Sequence, residues 1–133
     1  HIENIRCKVP IDKELMTYMR FGLSYAKNKF RDKSIDYIIW GAGSSGINTK
    51  AIIEEILPGF RLIGYIDKYK EGSIGNVNIY KPEDMIRLKF DYIILASSTG
   101  KEEVAGILDK QGLSMLNDYI AGYGVVLTDI FYV

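Results

Sequence analysis

Residues 37–55, YIIWGAGSSGINTKAIIEE, pass from an apolar run through three glycines and two serines into a helical pattern. The run Ile35–Trp40 is short and β-branched, as expected of a strand buried on both faces. Beyond the glycines, Ala51, Ile52, Ile53 and Ile56 recur at helical spacing over 47–57, and Pro58-Gly59 stops that helix. Between the two, Gly41, Gly43 and Gly46 fit G-x-G-x-x-G. A glycine loop joining a strand to a helix aims helix N-terminal N–H groups at an anion. Gly41 permits the tight turn, Gly43 lets backbone approach a diphosphate, and Gly46 lets the helix pack close on the strand. Ala42, Ser44 and Ser45 complete the candidate loop, the serines adding hydroxyl donors. The competing reading is a tight strand–helix turn that binds nothing.

Outward from the loop, RLIGYID (61–67) reads as a second strand that ends on Asp67. Asp67 lies 21 residues after Gly46, close to the ~20 at which an acid meets ribose hydroxyls in dinucleotide sites. Lys68 beside it is a candidate for a further phosphate or a base edge; Lys68 and Lys70 read equally well as solvated charges. FDYIILAS (90–97) is the next strongly apolar run. Its carboxyl end, ASSTG (96–100), places Ser97, Ser98 and Thr99 where ligands bind in open α/β sheets. Thr99 and Glu102 have capping-box spacing ahead of a helix that ends at Gly112.

The remaining segments fill in the order. Leu15, Met19, Leu23, Ala26 and Phe30 draw one apolar stripe along a helix over 10–30, which packs on this domain or on a partner subunit. A short strand is predicted near Val77–Tyr80, a short helix starting at Pro82, and a last strand near Tyr119–Ile120. Helix, then β-α-β-β-α-β-α-β with near-continuous apolar strands, indicates an α/β fold with a Rossmann-like, doubly wound parallel sheet. Residues 1–31 are expected to form a helical extension and 32–133 the nucleotide-binding domain.

Composition narrows the function. At 133 residues the chain suits one domain. Lys plus Arg equals Asp plus Glu at 17 each, so no basic excess suggests nucleic acid, and nucleic acid is not an expected partner. No apolar run approaches the ~20 residues of a membrane span, and Cys7, a lone cysteine, fits a reducing cytoplasm. His1 is the single histidine, so histidine-based metal or triad chemistry is not expected. Tyr-x-x-x-Lys occurs at Tyr25–Lys29, before the glycine loop rather than after it, which is the wrong order for a short-chain dehydrogenase. No Gly-x-Ser-x-Gly elbow and no P-loop lysine are present. No catalytic or metal-ligating residue is assigned.

The stretch Asp36–Gly112 resembles a small Rossmann-like domain of bacterial surface-polysaccharide enzymes. The residues that carry the likeness are IIWGAGSSG, LPGFRLIGYIDKYKEGSIGNVNIYKPEDM, DYIILASS and ILDKQGL. Domains of this kind precede sugar O- and N-acyltransferases, and similar ones precede nucleotide-sugar epimerases/dehydratases. The resemblance implies that Gly41–Gly46, Asp67 and Lys68 touch a nucleotide diphosphate, either a UDP-sugar or NAD(P). The chain has neither the hexapeptide repeats nor the catalytic histidine of the acyltransferases, and Lys68 stands where the family has a second acid. The expectation is therefore a nucleotide- or nucleotide-sugar-binding domain that is not catalytic alone. An NAD(P)-binding oxidoreductase-like domain and a structural module dimerising through its first helix are the alternatives.

Overall fold

In the computed structural model, residues 13–96 and 101–122 are described. The elements are α1 (Lys13–Lys29), β1 (Ile35–Trp40), α2 (Ser44–Ile56), β2 (Phe60–Ile66), β3 (Ser73–Ile74), β4 (Val77–Tyr80), a 3-10 helix (Pro82–Arg87), β5 (Tyr92–Leu95), α3 (Lys101–Lys110) and β6 (Tyr119–Ala121). The strands form one sheet in the order β3-β4-β2-β1-β5-β6. β1 runs parallel to β2 and β5, β2 to β4, and β5 to β6, and the β3–β4 pair alone is antiparallel. This is the expected Rossmann-like, doubly wound arrangement. Connections from β1 lead outward through β2 to β4, whereas β5 lies on the other side of β1. The strand order thus reverses between β1 and β5, and their carboxyl ends frame the crevice in which such sheets bind ligands.

The central strands are apolar because both faces are covered. Ile38, Ile39, Ile93 and Ile94 are fully buried, as are Tyr37, Tyr65 and Tyr92, the strand tyrosines. Toward the amino ends of the strands, aromatic rings pack edge to face: Phe30 on Tyr92 at 5.1 Å and Phe30 on Phe60 at 5.7 Å between centroids. Gly64 of β2 faces the Tyr80 ring of β4, which a Cβ at Gly64 would meet at 2.9 Å.

The α1 stripe is spent within the chain. Met19, Leu23 and Ala26 are buried, and Gly22 lets the helix approach Ile120 of β6, 3.1 Å from where a Cβ would stand. Tyr25 Oη donates to Asn117 Oδ1 at 2.7 Å and Lys29 Nζ to the Asn117 carbonyl at 2.6 Å, so that tyrosine–lysine pair clamps α1 to the loop before β6. The described part of the stripe packs on its own domain. The Leu15 side chain lies outside the described residues.

Two details differ from the sequence reading, while α2 spans Ser44–Ile56: its apolar period starts at 47 and a polar first turn of serines and Gly46 carries the helix back to Ser44. The segment at Pro82 is a single 3-10 stretch that buries only Met85. The two-residue strand β3 pairs with β4 around Gly75, whose φ is +60°, and is too short to show alternation. No helix among the described residues is long and apolar enough to cross a membrane.

Candidate functional site

The glycine loop sits at the carboxyl end of β1, and each glycine has a different reason to be there. Gly41 has φ of +121°, a conformation that L side chains rarely adopt, and its N–H donates to the Ile66 carbonyl at 2.7 Å. Gly46 faces that same turn: a Cβ on it would lie 1.9 Å from the Gly41 carbonyl oxygen. Those two are demanded by the fold. Gly43 is not. Its φ is −88°, and a Cβ there would meet nothing nearer than Lys70 Nζ at 3.9 Å.

Gly43 caps α2 without a side-chain hydrogen bond, and no acid stands in the first turn. The helix start therefore presents its partial positive charge without a carboxylate of its own. Ser44 is exposed at the first helical position. Ser45 is differently employed: its hydroxyl donates to the Ala96 carbonyl at 2.6 Å, tying α2 to the end of β5. Of the two serines expected to offer hydroxyl donors, Ser45 has its proton engaged by protein and Ser44 is exposed.

Asp67 does not point into bulk water. Its Oδ2 accepts from the Ala42 N–H at 3.0 Å, and its Oδ1 accepts from the N–H groups of Tyr69 and Lys70, both at 2.8 Å. One carboxylate thus braces the glycine loop and shapes the turn after β2. Burial pushes its pKa up, but the three backbone hydrogen bonds and nearby Lys70 outweigh that and hold it below the ordinary value. A carboxylate has about four lone-pair sites, so with three N–H donors bound about one remains open.

Lys68 is exposed and tied to other elements. Its Nζ pairs with Glu103 of α3 at 3.4 Å, and its carbonyl accepts from Lys81 Nζ at 3.2 Å. Lys70, given no role by sequence spacing, is the lysine whose ammonium lies over Gly43. Ser97, Ser98 and Thr99 lie outside the described residues.

Thr49, also missed, is the one buried polar residue among those described. Its Oγ1 lies 2.7 Å from the Ser45 carbonyl and 2.6 Å from that of Gly122, which joins α2 to the end of β6. Its only signal in the sequence is a threonine one turn before Ile52 and Ile53, on the face that packs inward.

A cavity of about 440 Å³ opens at the opposite, amino-terminal edge of the strands, between Ala26, Phe30, Lys33, Leu57 and Phe60. None of the glycine-loop residues lines it. Among the described residues no cluster of acids, histidines or cysteines could hold a metal ion.

A family model described as "C2185-like, N-terminal" matches residues 34–117. The chain belongs to the C2185-like N-terminal family. Among curated proteins no match is found. This C2185-like chain is similar in structure to RSP, a Rex-family repressor, with a TM-score of 0.57 and 21% identity over 76% of this chain and 57% of RSP. RSP in complex with β-NAD+ and operator DNA gives 0.55 and 25% identity over 80% and 57%, and RSP in complex with β-NADH gives 0.54 and 26% over 80% and 61%. The chain therefore spans about three fifths of the length of these neighbours.

Two sequence expectations change. The neighbour solved with operator DNA overturns the exclusion of nucleic acid as a partner. The physical reason is that a net charge of zero sums over all surfaces of one segment, and says nothing of a local patch or of the rest of a longer protein. The nucleotide-sugar reading has no support either: neither the matching family nor these neighbours point to a polysaccharide enzyme, whereas two of the neighbours hold a nicotinamide dinucleotide.

Proposed function

We propose that this C2185-like domain binds a nicotinamide adenine dinucleotide, with the diphosphate over Gly43–Gly46 and the adenosine ribose against Asp67. The observation that carries the reading is Gly43, a glycine that neither backbone conformation nor packing requires. A bare α-carbon at that point is useful to a ligand that must come within contact distance of the backbone. The free acceptor site on Asp67 Oδ2 and the uncapped start of α2 supply the two chemistries that a ribose diphosphate needs. Ala42, Ser44 and the loop amides complete the seat, and Ser97 and Ser98 are proposed to border it from the end of β5. The likeness to RSP bound to β-NAD+ and β-NADH favours this ligand over a UDP-sugar. The proposed activity is binding, and the DNA-bound neighbour supports operator-type DNA as a partner of the protein that carries this domain.

The test is Gly43→Val, read by calorimetry with NADH and by thermal melting. A Cβ at Gly43 meets nothing nearer than Lys70 Nζ at 3.9 Å, so the melting temperature should hold within a few degrees while NADH binding is lost. Unchanged NADH affinity in the variant, or no binding by the wild-type chain, would overturn the reading.

A further inference from the structure

The turn after β2 sends its two neighbouring lysines in different directions. Lys68 is drawn away from the glycine loop by Glu103 and by the contact of its carbonyl with Lys81. Lys70 is rooted by its own N–H, which donates to Asp67 Oδ1 at 2.8 Å, and its ammonium reaches back over the loop to within 3.9 Å of where a Gly43 Cβ would stand. Among the described residues no carboxylate forms an ion pair with that ammonium, whereas Lys50, Lys68 and Lys81 each have one. The single Asp67 carboxylate therefore braces the loop backbone on one oxygen and sets the origin of the Lys70 side chain on the other.

We propose that Lys70 is the cation that meets the diphosphate seated on Gly43, and that it makes the site selective for ligands bearing that diphosphate. This rests on the dinucleotide reading and deepens it. The ammonium is a mobile point charge with three donors, suited to an anion whose other side is held by fixed helix-start amides. Lys68, the lysine adjacent to the acid, has no part in the contact.

Calorimetry of the 133-residue chain with NADH and with ADP tests the assignment, using Lys70→Ala, Lys70→Arg and Lys68→Ala. Lys70→Ala is expected to weaken NADH and ADP alike by about two- to fivefold, the range of an exposed ion pair. It should also flatten the dependence of affinity on salt. Lys70→Arg should restore most of the loss, and Lys68→Ala should stay within about twofold of the wild type. Wild-type affinity in Lys70→Ala, or a loss confined to Lys68→Ala, would overturn the assignment while leaving dinucleotide binding intact. A loss seen with NADPH but not with NADH would likewise overturn it, placing the ammonium at the ribose 2′-phosphate. Absence of NADH binding by the wild type would remove the dinucleotide reading and this assignment together.

Discussion

Asp67 Oδ2 accepts the backbone N–H of Ala42 at 3.0 Å across 25 residues of sequence, so the acid at the end of β2 is a structural member of the glycine loop as well as its neighbour. Loss of ligand affinity in an Asp67 variant would then have two origins, a missing ribose contact and a loosened loop, and stability measurements separate them.

Asp67→Asn keeps the shape but turns an amide NH2 toward backbone donors. We expect the variant to be less stable by about 1–2 kcal/mol in urea unfolding at pH 7, a figure kept low because the carboxylate is partly solvated. The sign of the pH dependence follows from the depressed pKa. The stabilisation is fully present above the ordinary carboxylate pKa of about 3.9 and is lost as the pH falls through the lower folded value. Urea midpoints of wild type and variant should therefore converge as the pH falls below about 4.

Gly46→Ala places a methyl against the Gly41 carbonyl, 1.9 Å from its oxygen before any relaxation. Helix α2 would have to move off β1, and a cost of about 2–3 kcal/mol is expected in denaturant unfolding. The comparison with Gly43→Val is informative: the larger side chain goes in at the position with room, and should cost far less.

Thr49→Val removes a hydroxyl shared between the Ser45 and Gly122 carbonyls and leaves buried backbone acceptors without that donor. Destabilisation of about 1–3 kcal/mol is expected, with faster amide exchange in β6 than in β1. Equal protection of both strands in the variant would argue against Thr49 as the tie between them.

The phenol oxygens of Tyr37 and Tyr65 are buried with no hydrogen-bond partner among the described residues. Tyr37→Phe removes an unpaired polar atom and keeps the ring, so stability at pH 7 should be unchanged or higher by up to about 1 kcal/mol. Burial first, then Glu54 and Tyr65, pushes the Tyr37 pKa upward. The folded state therefore holds its proton while the unfolded chain releases it above about pH 10, and wild-type stability falls there with rising pH. Alkaline unfolding of Tyr37→Phe should show a shallower fall.

The alternation of strands and helices, the doubly wound class and the three glycines were all legible in the residue pattern, because local sterics and side-chain period fix elements over a few residues. The pair β3–β4 was not, since a two-residue strand carries no period. The site divided along the same line. Spacing located Asp67 and the loop, and it singled out Lys68 for its place beside the acid.

Which atoms these residues face was settled only when strands far apart in the chain lay side by side. Glu103 takes Lys68, the Asp67 carboxylate roots Lys70 over Gly43, and Gly122 finds Thr49 across 73 residues. The sequence by itself determined that a strand, a glycine turn and a helix would form a cradle with an acid nearby. Tertiary packing alone decided that Gly43 is left open and which cation leans over it, because those relations depend on strand order and not on any period along the chain.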